Sequence, residues 1–187
     1  MATSGTTHAG AGYGTVARLL HWITVVLVLA MMPVGMIMQR EGLDRATQDL
    51  LFIFHKNFGV LVLVLVLFRL IWRAFNPPPP LPASVPDWQA ELSSWVHRGL
   101  YVMLVFMAVT GYVRVTAGGF PIEFLDWLGM PRLPRMEGLA ELAKSAHFLG
   151  KFLLLALILL HVAGALGHAI VKRDGVMQRM WPPVARR

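Results

Sequence analysis

The sequence predicts an all-α integral membrane protein in which a four-transmembrane-helix bundle forms a single domain over residues 1–187. Three observations carry this. Hydrophobic residues make up 56% of the chain and charged residues only 14%, against roughly 25% charged in an ordinary soluble domain. The mean hydropathy is +0.60. Four separate stretches also hold about 20 mostly apolar residues each, the length that crosses a hydrocarbon core of about 30 Å. This composition excludes an ordinary soluble globular domain.

The first span runs from about Leu19 to Met38. It is longer than the core of a secretory signal and no A-x-A-like cleavage site follows it, so it is expected to be retained. The second, about Leu50 to Trp72, contains the run VLVLVLVLF. This run alternates like a strand, but both residue types are apolar and a lone strand in lipid leaves its backbone unsatisfied, so a helix is expected. The third, about Trp95 to Ala117, has an uncharged centre from Gly99 to Val113, and the fourth runs from about Ala146 to Val171. Charges near the ends of these spans can snorkel to the interfaces.

Between the second and third spans, Asn76, Pro77 to Pro80, Pro82 and Pro86 make an extended linker, because proline can neither donate to a helix nor continue one. The connection between the third and fourth carries Gly118, Gly119, Pro121, Pro131 and Pro134 beside Trp127. Its length and composition predict a folded cap on the membrane surface. No internal repeat and no dinucleotide-type glycine motif is visible.

Basic residues set the orientation. Arg18, Arg69, Arg73, Arg98, Lys172, Arg173, Arg179, Arg186 and Arg187 share the face of the termini and the proline-rich linker, where the acids are Asp87, Glu91 and Asp174. The opposite loops hold Arg40, Arg45, Arg114, Arg132, Arg135 and Lys144 among most of the acids. Basic loops favour the cytoplasm, so a multi-pass protein with both tails cytoplasmic is expected. The pI of about 10.6 then reflects attraction to anionic membrane lipid and calls for no nucleic-acid partner.

Within these apolar spans lie four of the seven histidines, His21, His55, His147 and His161. Imidazole is costly in hydrocarbon without a partner, so repeated histidines at membrane depth point to a functional site. Cysteine is absent, which closes the thiolate routes to zinc, iron–sulfur clusters and disulfides and leaves histidine–haem ligation as the leading metal chemistry. His147 and His161 are 14 residues apart, about 21 Å of helical rise with a return to within about 40° of the same face. One helix thus offers two imidazoles near opposite membrane surfaces. His55 is level with His147 and His21 with His161, which gives two ligand pairs between facing helices. His97 begins the third span at the level of His21 and is its rival. His168 lies two turns beyond His161 near the surface, suited to proton exchange with a quinone, and His8 falls in a Gly/Ala/Thr-rich tail and is read as incidental. Without cysteine no covalent haem attachment motif exists, so the haems are expected to be b-type.

The segments YGTVARLLHW, HKNFGVLVLVLVLFRLIWR followed by NPPPP, WVHRGLYVMLVFMAVTGYV, and AHFLGKFLLLALILLHVAGALGHAIVKRDGVMQRM resemble the bacterial cytochrome b561 family of four-helix, di-haem b membrane cytochromes. The resemblance covers Tyr13 to Met180. It implies a bundle enclosing two b haems in the bacterial inner membrane, with His21, His55, His147 and His161 as axial ligands of the haem irons, and it moves His97 to a place beside the ligands or at a quinone site. The family is also similar to the cytochrome subunits of formate dehydrogenases and hydrogenases. Among its stand-alone members, superoxide oxidation coupled to ubiquinone reduction is known.

Bis-histidine coordination leaves no open iron position and favours electron transfer over oxygen chemistry. Arg18, three residues before His21, can reach that haem's propionates, as can Arg69 and Arg98. Lys56 and Lys151 flank the outer haem as donor-side residues, while His97 and His168 are the quinone-site residues expected on the cytoplasmic side. Met31, Met32, Met36 and Met38 read as packing, and Gly35, Gly59, Gly111, Gly150 and Gly164 as places for close approach of helices or a flat macrocycle. Three function classes follow. The first is a superoxide:quinone-type oxidoreductase with ubiquinone as acceptor. The second is an electron-transfer subunit for a docked dehydrogenase, hydrogenase or periplasmic redox protein. The third is a haem-free structural or transport protein.

Overall fold

Residues 12–181 are described by the computed structural model, so His8, Arg186 and Arg187 lie outside the described residues. Five α-helices follow one another: α1 (Thr15–Ile37), α2 (Arg45–Phe75), α3 (Asp87–Ala117), α4 (Glu123–Trp127) and α5 (Glu137–Leu166). A π-helical turn (Gly167–Lys172) continues α5, and a 3-10 turn follows at Met177–Arg179. There is no strand among the described residues. α1, α2, α3 and α5 with its π turn are the four helices long and apolar enough to cross a membrane.

These helices overrun the apolar windows that reveal them in the sequence. α2 starts at Arg45 where about Leu50 is expected, α3 at Asp87 where Trp95 is expected, and α5 at Glu137 where Ala146 is expected. Hydropathy marks only the part of a helix in hydrocarbon, whereas the helix itself runs on into water until its ends are capped. At the start of α2, the Asp44 carboxylate accepts from the Thr47 N–H at 2.9 Å, and Arg45 pairs with Asp49 one turn on at 3.0 Å. His55 and His147 therefore sit about three turns inside their helices instead of opening them.

The far end of α2 is closed by Asn76, whose N–H and Nδ2 both donate to the Trp72 carbonyl before the prolines begin. α3 ends at Gly118, and Gly119, with φ of +83°, lets the chain turn back. Met136 N–H then donates to the Ala117 carbonyl at 2.9 Å, so the connection closes on itself as a folded cap containing α4.

Backbone packing is close along α3–α5, α1–α2 and α2–α3. α5 makes no comparably close approach to α1 or α2 among the described residues, which leaves a gap across the bundle. Val28, Val62 and Val66 seal its middle, with Leu104, Val105 and Ile158 packed against them. Val26, Val64, Val102 and Leu159 are exposed. This is the expected disposition when the surroundings are as apolar as the side chains.

On one face the two ends of the described segment meet. Tyr13 N–H donates to the Arg179 carbonyl at 3.0 Å, and Trp22 Nε1–H to that of Met180 at 3.1 Å. The Arg179 guanidinium also donates to the carbonyls of Pro79 and Pro80. An even number of crossings requires both ends and the proline-rich linker to share a side, and these hydrogen bonds tie them together there.

Candidate functional site

The four histidines meet across the gap that backbone packing leaves. His55 of α2 faces His147 of α5 with ring centres 6.3 Å apart and ring planes at 80°. His21 of α1 faces His161 of α5 at 6.2 Å and 79°. Two metal–nitrogen bonds of about 2.0–2.1 Å, with roughly 1.1 Å from each nitrogen to its ring centre, span about 6.3 Å. Both pairs thus have the spacing of two imidazoles that share one metal. His97 also reaches His161, but at 5.1 Å, a separation too short for that arrangement.

Other observations fit a large flat group held between the rings. The buried Nδ1 atoms of His21 and His55 have no hydrogen-bond partner among the described residues, although an unsatisfied buried polar atom is costly. Glycines on neighbouring helices seat His55 and His147. A Cβ at Gly35 of α1 would stand 2.7 Å from His55 Cε1, and one at Gly111 of α3 would stand 3.3 Å from His147 Cε1. A cavity of about 1120 Å³ opens on the His55–His147 pair, floored by Val28, Val62 and Leu154. No group of three or more His, Asp or Glu side chains that could hold a metal ion occurs among the described residues. Two facing imidazoles alone suit a metal whose remaining positions are filled by a macrocycle.

Cations surround both pairs. Arg69, half-buried with its guanidinium 5.4 Å over the Tyr101 ring, lies within electrostatic range of His21, His97 and His161. Arg114 stands in the same relation to His55 and His147. Neither makes an ion pair among the described residues. Arg18 is buried, and its Nε donates to the Tyr13 carbonyl at 2.7 Å. Lys151 rests its ammonium 3.9 Å from the Phe148 ring centre and lines the outer cavity with Lys144 and Arg114.

Lys56, expected as a donor-side residue, is tied to the connection between α3 and α5. Its Nζ donates to the Pro121 carbonyl and to Glu123 Oε1, each at 2.8 Å. Asn57 completes the joint, donating to Glu123 Oε2 at 2.7 Å and accepting from the Phe124 N–H at 2.7 Å. Burial pushes the Glu123 carboxyl up, but the hydrogen bonds from Lys56 and Asn57 outweigh it and hold the group below the usual carboxylate range. Lys56 therefore anchors α4 and its charge is locally balanced.

Near the other surface, His168 in the π turn pairs through Nδ1 with Asp174 Oδ2 at 2.5 Å. Burial of Asp174 raises its pKa, yet this bond and one from the Val176 N–H leave it depressed overall. Of the two quinone-site residues expected from sequence, His97 joins the inner histidine cluster, with Ser93 Oγ 3.3 Å from its Nδ1, while His168 is held by Asp174. Sequence reasoning missed Asn57, Glu123 and Thr110, whose hydroxyl lies 3.1 Å from His147 Nδ1. A polar residue directly before Gly111 in an otherwise apolar stretch was the only signal for Thr110.

Comparison with known proteins points to one family. Residues 12–183 match the model of a family described as prokaryotic cytochrome b561. Cytochrome b561 homolog 2 of Escherichia coli (strain K12) is 29% identical over 174 residues, which cover 90% of each chain. Cytochrome b561 homolog 1 of the same organism is 27% identical over 167 residues, covering 87% of this chain and 93% of its own length.

Proposed function

The chain belongs to the prokaryotic cytochrome b561 family, and from that membership we propose that this haem b-binding, membrane-embedded electron-transfer protein carries two b haems and works as a quinone oxidoreductase. The observation that carries the reading is the repetition of one imidazole spacing at two levels of α5. His55 and His147 would hold the outer haem, His21 and His161 the inner one. Bound haem supplies a one-electron couple. Held by an imidazole from each of two helices, it would serve electron transfer and not oxygen chemistry. Arg69 and Arg18 would meet inner carboxylates and Arg114 outer ones, while the valine core between the levels keeps water out of the middle of the bundle.

Quinone reduction needs protons as well as electrons. His97 beside His161, together with the His168–Asp174 pair near the surface, would border a cytoplasmic-side ubiquinone site, the pair exchanging protons with water. At the outer face Lys151 and Arg114 line one cavity, where Lys144 is paired with Glu141 at 3.0 Å, and the field of the two unpaired cations would raise the encounter rate of a small anion such as superoxide. A second reading, a subunit serving a docked dehydrogenase, hydrogenase or periplasmic redox protein, is favoured by the pairing of Lys56 with Glu123, which removes one charge from that field.

Anaerobic mixing of the pure protein with superoxide, then with ubiquinone, while the haem spectrum is recorded tests the reading. Superoxide should reduce the haems, more slowly at high salt and in Lys151→Gln, and ubiquinone should reoxidise them. Haems that stay oxidised under superoxide but are reduced by a copurifying partner select the second reading.

A further inference from the structure

Thr110 of α3 places its Oγ1 3.1 Å from Nδ1 of His147 on α5, 2.7 Å from the Phe106 carbonyl and 3.2 Å from the Met107 carbonyl. A hydroxyl has one proton to give. Neither carbonyl can donate, and the Phe106 carbonyl makes the shortest contact, so the proton is directed back along α3. The oxygen then presents only lone pairs to His147. The contact with the imidazole is a hydrogen bond only when Nδ1 carries the hydrogen and donates it. This assigns the tautomer: Nδ1 protonated, Nε2 left with the lone pair that a metal requires.

The geometry points to Thr110 as the positioning residue of the outer haem, fixing the tautomer of His147 and, by accepting its Nδ1–H, making that imidazole a stronger electron donor to iron. The inference rests on the reading of His147 as an axial ligand. A ligand histidine whose second nitrogen donates to an acceptor is held in one orientation and made more basic, and a more basic ligand favours the oxidised iron, lowering its potential. Among the described residues none of the other three paired histidines is met by a hydroxyl, and His21 leaves Nδ1 without a partner. Gly111, the next residue, leaves room for the edge of the same ring, with a Cβ there standing 3.5 Å from Nδ1. α3 supplies none of the four paired histidines, yet it packs closely along α5. Its part is to fix one imidazole from behind, which makes the two haem sites unlike.

The test compares the intact holoprotein with Thr110→Val, which keeps the side-chain shape and removes the hydroxyl, and with Thr110→Ser, which keeps the hydroxyl. Redox titration of the haem spectrum and low-temperature EPR of the oxidised form are read beside the haem-to-chain ratio. The valine variant should keep both haems, shift one midpoint potential upward and the corresponding low-spin signal with it, and leave the other haem unchanged. The serine variant should match the parent. Two unchanged potentials in the valine variant overturn the inference, and so does an equal shift or equal haem loss in both variants, which would trace the effect to packing. His147→Ala is the control for the reading beneath it: retention of both haems there removes His147 as a ligand, whatever Thr110 does.

Discussion

Gly35 shows how closely a single residue is tied to the outer site. Its missing Cβ leaves the place that His55 occupies, so Gly35→Val should displace that imidazole and cost the outer haem while the inner one stays. Haem-to-chain ratios and difference spectra check this, and full retention of both haems would show that His55 is not held against α1 in the loaded protein. Alanine at His55 or His147 should likewise remove the outer haem preferentially, and alanine at His21 or His161 the inner one. The histidines were legible in the sequence because their 14-residue spacing and apolar setting are properties of the helix alone. Thr110 was not, since a threonine that only bonds its own helix and one that also holds a neighbour's ring read alike. The pairing of Lys56 was not legible either, because its partner Glu123 lies 67 residues away.

At the scale of elements, the apolar centres of the four long helices could be read from composition, and their ends could not. Caps, extensions beyond lipid and the cap helix α4 depend on hydrogen bonds between distant residues. The joint of α4 to α2 has a pH signature. Glu123 is depressed in the folded protein, so the stability it lends is present above the ordinary glutamate pKa of about 4.3 and is lost as pH falls through the lower folded value. Its side chain is 39% exposed, which limits the energy involved. Amide exchange over residues 121–127 should therefore lose protection on acidification in the parent. In Glu123→Gln it should be less protected at neutral pH and lack that step. The same acid profile in both proteins would show that the Lys56–Glu123 pair does not secure the cap.

The whole molecule is arranged around the gap between α5 and the α1–α2 pair, which histidines span at two depths and valines close between them. The sequence supplied the number of spans, the two levels and the face shared by the termini, but the open gap emerges only when the helices are packed. The basic loops predict a cytoplasmic proline-rich linker. The chain has no cysteine, so a single one at exposed Ser84 or Met130 reports topology directly. In intact spheroplasts a membrane-impermeant maleimide should label Met130→Cys at once and Ser84→Cys only after permeabilisation; the reverse pattern would invert the orientation. The measurement that bears most directly on the central claim is the pyridine haemochrome content of the pure protein against its chain concentration. Two non-covalent b haems per chain are expected, one for each imidazole pair, and a value of one haem per chain or a thioether-linked spectrum would contradict the account.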